Sequence, residues 1–326
     1  LMPARPAARA RLYAEAPAAP RLRAMAVRQL AADGVDAANL AVTGGALDAI
    51  ERVLAGWLTP GDRVAVEDPG HAVTFDLLAA MGFRLIPVPV DDYGMRPDDL
   101  ARELGGRVSA VILTPRAQAA TGAAWDARRA AELADVLGQH PSVGVIEDDH
   151  AGPVAGVGAH TTSGQLARWA HIRSVSKSLG PDLRLAVLAG DEATIAHVAG
   201  RQALGTGWVS YELQETVADL WSDPAPLEHA ARVYAARGRA LRDALAAREI
   251  LATGRSGLTS WVPVPDEDRI ASALAAAGWA VAPGRRFRIA AAPGVRVSFA
   301  TLEPADAERF AADFARARPA RVTRLD

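Results

Sequence analysis

The sequence predicts an α/β fold, a large domain on a mostly parallel sheet followed by a smaller α+β domain. Three observations carry that expectation. From residue 36 to about residue 190, strand-like and helix-like segments alternate, the order that builds parallel sheets with crossover helices. One of those strands, "VSAVILTP" at 108–115, has no polar relief, as a strand covered on both faces requires. Beyond about residue 208 the pattern changes to helical runs and then to shorter strand and helix units.

Taken in order, "RLRAMAVRQLAADG" (21–34) reads as an N-terminal helix whose packing partner the sequence leaves open. "AANLAVTGGALDAIERVLAGWL" (37–58) is a short strand, a glycine turn and a helix with Leu47, Ile50, Val53, Leu54 and Leu58 on one face. "GDRVAVEDPGH" alternates apolar residues as a strand and ends in a turn. "AVTFDLLAAMGF" is a helix, "RLIPVPV" a strand, "DARRAAELADVLGQH" a helix and "SVGVIEDDH" a strand running into acids. "HIRSVSKSLG" and "RLAVLAG" are two further strand-like pieces. After them "YELQETVADLW" and "HAARVYAARGRALRDALAAR" are helical. "GLTSWVPV", "RIASALAAAGWAVAPG", "GVRVSFATL" and "AERFAADFARARP" then alternate strand and helix. The expected division is an N-terminal segment at 1–34, a large domain at 35–222 and a small one at 223–326.

Composition removes several function classes. The 326 residues are half hydrophobic with a net charge of −2, so there is core enough for this architecture and no basic footprint for nucleic acid. No cysteine is present, which excludes disulfides, thiolate nucleophiles and cysteine-bound metals and fits a reducing cytoplasm. No run of about 18 apolar residues suggests a membrane span. The opening "LMPARPAARARLYAEAP" has the arginine of a transit peptide, but its prolines spoil an amphipathic helix.

Ligands of open α/β sheets bind beyond the carboxyl ends of the strands. "TGGALD", "EDPGH", "TPRAQAATG" and "EDDHAG" fall at such ends, and the lysine stretch "SVSKSLGPDLRL" (174–185) follows the next strand. Their convergence on one crevice is the first argument for a site. "TGGA" leads straight into a helix, so it is either a glycine-capped turn or a cradle offering bare backbone N–H groups to a phosphate. "EDDH" is open to three readings: a divalent metal site, a solvated loop, or a single carboxylate, Asp148, facing a heterocyclic nitrogen. Lys177 is either a surface lysine or a reactive amine. Ser174, Ser176 and Arg184 around it are good phosphate ligands, and an amine held beside fixed positive charge can attack an aldehyde. Lysine, phosphate cradle and buried carboxylate together describe pyridoxal 5'-phosphate chemistry.

These motifs, in this order over nearly the whole chain, resemble class I/II aminotransferases of pyridoxal phosphate fold type I. Within that class the resemblance is to the aminotransferase-like domain of MocR-type regulators, which follows a GntR-type winged helix. "VTGGALDAIERVL", "PGDRVAVEDPG", "VIEDDHAGP", "RSVSKSLGPDLRLAVLAGD" and "GVRVSFATLEP" carry it. The resemblance implies that Lys177 forms the internal aldimine and shuttles the proton. It places Asp148 at the pyridine nitrogen, and Gly45, Ala46, Ser174, Ser176 and Arg184 around the phosphate. His71 falls where an aromatic ring usually stacks on the cofactor, and His150 where related regulators carry a tyrosine near the phenolic oxygen. Arg296 matches the arginine that clamps the substrate carboxylate, and Tyr13 a tyrosine reaching the neighbouring subunit's phosphate.

One departure stands out. The family's "NPTG" reads Ala119-Ala120-Thr121-Gly122 here, so the asparagine that hydrogen-bonds the phenolic oxygen is missing. The first function implied is amino transfer between an amino acid and a 2-oxo acid by a cytoplasmic homodimer. The second is the effector and dimerisation domain of a transcription regulator sensing pyridoxal phosphate or an amino acid, which requires a winged-helix segment upstream of Leu1. The third is a lyase or decarboxylase on the same fold. No membrane contact and no metal is expected, and no nucleic-acid contact through this chain itself.

Overall fold

In the computed structural model, which describes residues 15–318, the chain opens with α1 (Pro20–Ala32), β1 (Leu40–Thr43) and α2 (Ala46–Trp57). There follow β2 (Arg63–Asp68), α3 (Ala72–Ala80), β3 (Arg84–Asp91), the two-residue β4 (Gly94–Met95) and α4 (Pro97–Leu104). Next come β5 (Val108–Leu113), α5 (Ala127–Gly138), β6 (Gly144–Asp149), β7 (Trp169–Ser174) and β8 (Ala186–Gly190). Helices α6 (Glu192–Ala203), α7 (Tyr211–Trp221) and the long α8 (Ala225–Ala246) lead to β9 (Thr259–Pro263), α9 (Glu267–Ala276), β10 (Ala282–Pro283), β11 (Gly294–Ser298) and α10 (Ala307–Ala317). Among the described residues no helix is long and apolar enough to cross a membrane.

Eight strands form one sheet in the order β1-β8-β7-β6-β5-β2-β3-β4. Strands β3, β2, β5, β6 and β7 are parallel, while β8 runs antiparallel to both β7 and β1. Thus β1, β2, β5, β6 and β7 all run in one direction, and their carboxyl ends open on the same side. The central strands are almost wholly buried; β5 reads as an apolar run for that reason, while β6 and β7 carry their buried polar residues toward their carboxyl ends. β3 carries Pro87 and Pro89; with only β4 outside it, a missing N–H there deprives little of the ladder.

Helices cover both faces. α2 buries Ala49, Ile50, Val53 and Leu54 against the sheet, in a cluster with Val64, Ile146 and Leu188. On the opposite face α1 packs with α7 over Val187 and Trp169, so the N-terminal helix belongs with the large sheet. A second sheet, β10-β11-β9, is antiparallel. It shares a separate core with the end of α8, α9 and α10, centred on Phe299, Phe310 and Phe314.

The structure corrects one reading: of "HIRSVSKSLG" only the first four residues are strand, since β7 ends at Ser174 and Lys177 sits in the turn that follows. It adds α4 and α6, which the sequence reading did not mark, and β8 is an antiparallel member of the mostly parallel sheet.

Candidate functional site

The carboxyl ends of the co-directional strands surround a cavity of about 420 Å³. Its wall includes Ala46, His71, Asp148, His150, Ser174, Ser176, Lys177, Arg184 and Arg296. Gly45, the remaining predicted site residue, caps α2 beside Arg184. Tyr13 lies outside the described residues. The small sheet contributes Leu258, Thr259 and Ser298, which the sequence reading did not single out.

Gly45 has φ +117°, a conformation that L side chains rarely adopt. A Cβ there would stand 2.6 Å from Nη2 of Arg184. The bare backbone therefore lets the guanidinium lie over the amino end of α2, where unpaired N–H groups and the helix dipole favour an anion. Ser174 Oγ and Ser176 Oγ, 3.1 Å apart, add hydroxyls on the same wall.

Asp148 projects from β6 and is almost completely buried. Its Oδ2 lies 3.5 Å from His150 Nδ1, but its Oδ1 is buried without any hydrogen-bond partner. A buried carboxylate oxygen left unmatched is costly, and here it borders the cavity. The flanking acids point to the other face and are spent. Glu147 accepts from Thr161, Thr162 and His171. Asp149 pairs with Arg116 and Arg173, each of which also reaches Asp33 past the end of α1. Burial works against the Asp149 charge, yet Arg173 and Arg116 hold its carboxyl well below the usual range. "EDDH" therefore divides its acids between an ion-pair network and the cavity. Among the described residues no group of His, Asp and Glu is arranged to hold a metal ion.

His71 and His150 lie parallel, ring centres 6.2 Å apart and planes 15° apart. Burial, then the neighbouring His150, push the His71 imidazole down to about 4, so it is neutral at pH 7. Its Nδ1 meets Thr74 Oγ1 at 2.8 Å. Burial opposes the charge on His150 as well, but the Asp148 carboxylate more than offsets it and raises the proton affinity.

Lys177 reaches the cavity from the turn after β7 and has no salt-bridge partner among the described residues. It is also the only lysine in the chain, a signal the sequence reading passed over.

The loop after β5 is held without the missing asparagine. Gln118, fully buried, donates from Nε2 to the Pro69 carbonyl at 2.6 Å. Its Oε1 accepts from the backbone N–H groups of Ala120 and Thr121. Arg296 donates from Nε to the Ala119 carbonyl at 2.6 Å and stacks over Phe287 at 5.1 Å. The small sheet is fastened to this rim through Asp68, whose carboxylate accepts from the backbone N–H groups of Ile289, Ala290 and Ala291.

Comparison with known proteins points the same way. The family model "Aminotransferase class I and II" matches residues 21–314. The vitamin B6 salvage pathway transcriptional repressor PtsJ of Salmonella typhimurium is 42% identical over 312 residues, covering 93% of this chain and 72% of PtsJ. The HTH-type transcriptional regulator TauR of Rhodobacter capsulatus is 28% identical over 249 residues. That match takes in 71% of this chain but only 49% of TauR. Among solved structures, Pyrococcus horikoshii kynurenine aminotransferase, in complex with PMP, superposes with a TM-score of 0.82. Its identity is 22%, with 94% of this chain and 82% of that chain covered; at that identity the likeness speaks for the fold alone.

Proposed function

The chain belongs to the class I and II aminotransferase family, and from that premise we propose that it binds pyridoxal 5'-phosphate in the cavity beside Lys177 as the cofactor-responsive part of a transcription regulator. The observation that carries the proposal is the meeting of the chain's only lysine with a buried carboxylate whose Oδ1 lacks a partner. The residues fit the group. The glycine at 45 leaves room that a Cβ would fill, and Asp148 offers an unused acceptor to a protonated ring nitrogen.

When bound, pyridoxal phosphate supplies an aldehyde that joins amines and a ring that accepts an electron pair. The chain's residues do the rest. Gly45, Ala46, Ser174, Ser176 and Arg184 hold the phosphate dianion. Asp148 keeps a proton at the ring nitrogen. Neutral His71 offers a flat face, and His150 lies beside the Asp148 carboxylate, which raises its proton affinity. Lys177 Nζ would hold the aldehyde carbon and carry a proton beside it. Arg296 presents its guanidinium to a carboxylate.

Two things favour regulation over turnover: the relatives PtsJ and TauR are named as regulators, and Ala119 can donate no side-chain hydrogen bond to the phenolic oxygen. Amino transfer between an amino acid and a 2-oxo acid is the second reading, favoured by Lys177 and Arg296 lining one cavity. The division at residues 34 and 222, a homodimer and a cytoplasmic location are part of the same proposal. Mixing the cofactor-loaded protein with a panel of amino acids tests it. A spectral change without release of 2-oxo acid is expected. Sustained 2-oxo acid production on adding an acceptor would replace the regulatory reading with the enzymatic one.

A further inference from the structure

Beside the cavity lies a second, much smaller space of about 20 Å³, lined by Glu67, His71, Thr74, Thr114 and Asp148 together with the apolar Phe75 and Ile112. That is enough for one water molecule, which needs roughly 10–15 Å³ and two to four polar partners. Glu67 and Asp148 face it from β2 and β6, two strands that flank β5. Glu67 is buried, accepts from the Thr114 backbone N–H at 3.1 Å, and forms no ion pair among the described residues. The groups that meet this carboxyl, Thr114 and Gln118, are uncharged.

We propose that one water seated in this space bridges the Glu67 carboxyl to the Asp148 carboxylate, making Glu67 a positioning residue that sets how strongly Asp148 holds a proton at the cofactor's ring nitrogen. The inference rests on the reading of Asp148 as that nitrogen's partner. Geometry supplies the pairing: Asp148 borders both spaces, and its Oδ1, with no partner among the described residues, has two lone pairs, enough for the water and the ring nitrogen together. Chemistry supplies the sense. A protonated Glu67 donates through the water and steadies the Asp148 anion, whereas an ionised Glu67 adds a second negative charge beneath it. Burial pushes the Glu67 carboxyl up to about 7, only partly countered by hydrogen bonds from Thr114 and Gln118 and by the His150 charge. The titratable groups facing it are therefore His71 from the turn before α3, and Asp148 and His150 from the end of β6. The β5 side presents only uncharged Thr114 and Gln118.

The test has two arms. In the cofactor-free protein, carbon-13 NMR of the glutamate carboxyls follows Glu67, assigned by its loss in Glu67→Gln. A midpoint well above the ordinary glutamate range is expected, falling when Asp148→Asn removes the neighbouring charge. In the cofactor-loaded protein, the absorbance–pH curve of wild type should contain a component near neutral pH that Glu67→Gln lacks. An ordinary Glu67 midpoint, or one that ignores Asp148→Asn, overturns the bridge. So does a Glu67→Gln curve superimposable on wild type while the cofactor stays bound. If neither protein takes up the cofactor, the reading of the cavity fails, and the cofactor-free arm still judges the Glu67–Asp148 pair. Should Glu67→Gln not fold, Glu67→Asp supplies the assignment by moving the signal out of the glutamate carboxyls, and the Asp148→Asn shift then decides.

Discussion

At Gly45 two constraints coincide, a positive φ and the close approach of Arg184. Gly45→Ala should therefore cost roughly 1–3 kcal/mol of stability, the range for a non-glycine residue held in such a conformation, and weaken phosphate binding as the guanidinium is displaced. Denaturant unfolding and a cofactor titration measure the two effects separately. Asp148→Asn removes a charge-assisted acceptor and should weaken cofactor binding about 10- to 100-fold, from the usual value of a hydrogen bond to a charged group. Glu67 gives a signed prediction for stability. Its folded-state value lies above the ordinary 4.5, at about 7, so wild type is relatively most stable below the lower value and loses that advantage as pH rises through the upper one. Relative to Glu67→Gln, wild type should lose up to about 3 kcal/mol across that window, read as the difference in unfolding free energy between the two proteins at its two ends. Part of the cavity lining was legible at this scale: Lys177, Asp148 and Arg184 were singled out from their chemistry and Arg296 from the family resemblance, and all four line one cavity. Glu67 and Gln118 were not, because their significance lies in burial and in partners such as Thr114 and Pro69 that only the fold brings near.

Among the elements, β6 is the strand whose alternation decides the site. Asp148 faces the cavity, while Glu147 and Asp149 face the network that ties β6 and β7 to Asp33 at the end of α1. Asp149→Asn removes the fully buried carboxylate between Arg116 and Arg173, leaving them only the more exposed Asp33, and should cost about 3–5 kcal/mol at neutral pH, seen as a fall in Tm. Because the Asp149 carboxyl is held low, its contribution is complete above the ordinary aspartate range and is lost as pH falls below it. The cap of α6 offers a milder test. Asp191 accepts from the backbone N–H and hydroxyl of Thr194 and from the Trp169 N–H, so Asp191→Ala should cost about 1–2 kcal/mol, measured in the same way. Strongly periodic segments such as α2 and α5, and apolar ones such as β5, could be read directly. α4 could not, since eight residues hold barely two turns, although Pro97 and the acids Asp98 and Asp99 in its first turn mark a helix start. α6 was obscured by its weak apolar stripe and Gly200. The reversal of β8 is set by long-range pairing with β1 and β7, which no local pattern encodes.

For the whole molecule, two sheets meet at one cavity, and Asp68 and Arg296 are among the fastenings between them. The fold class was readable because strand–helix alternation is a property of the entire chain, and the small sheet because its pattern shifts. How the two sheets meet was not, since Asp68 and the amides of residues 289–291 are remote in sequence. Every proposed role turns on attachment of the vitamin B6 aldehyde to the one lysine. The most direct measurement is borohydride reduction of the protein loaded with pyridoxal phosphate, followed by peptide mass mapping. A pyridoxyl group on Lys177 Nζ, absent from Lys177→Ala, is the predicted result. Wild-type protein saturated with the cofactor yet carrying no label at residue 177 would contradict the account.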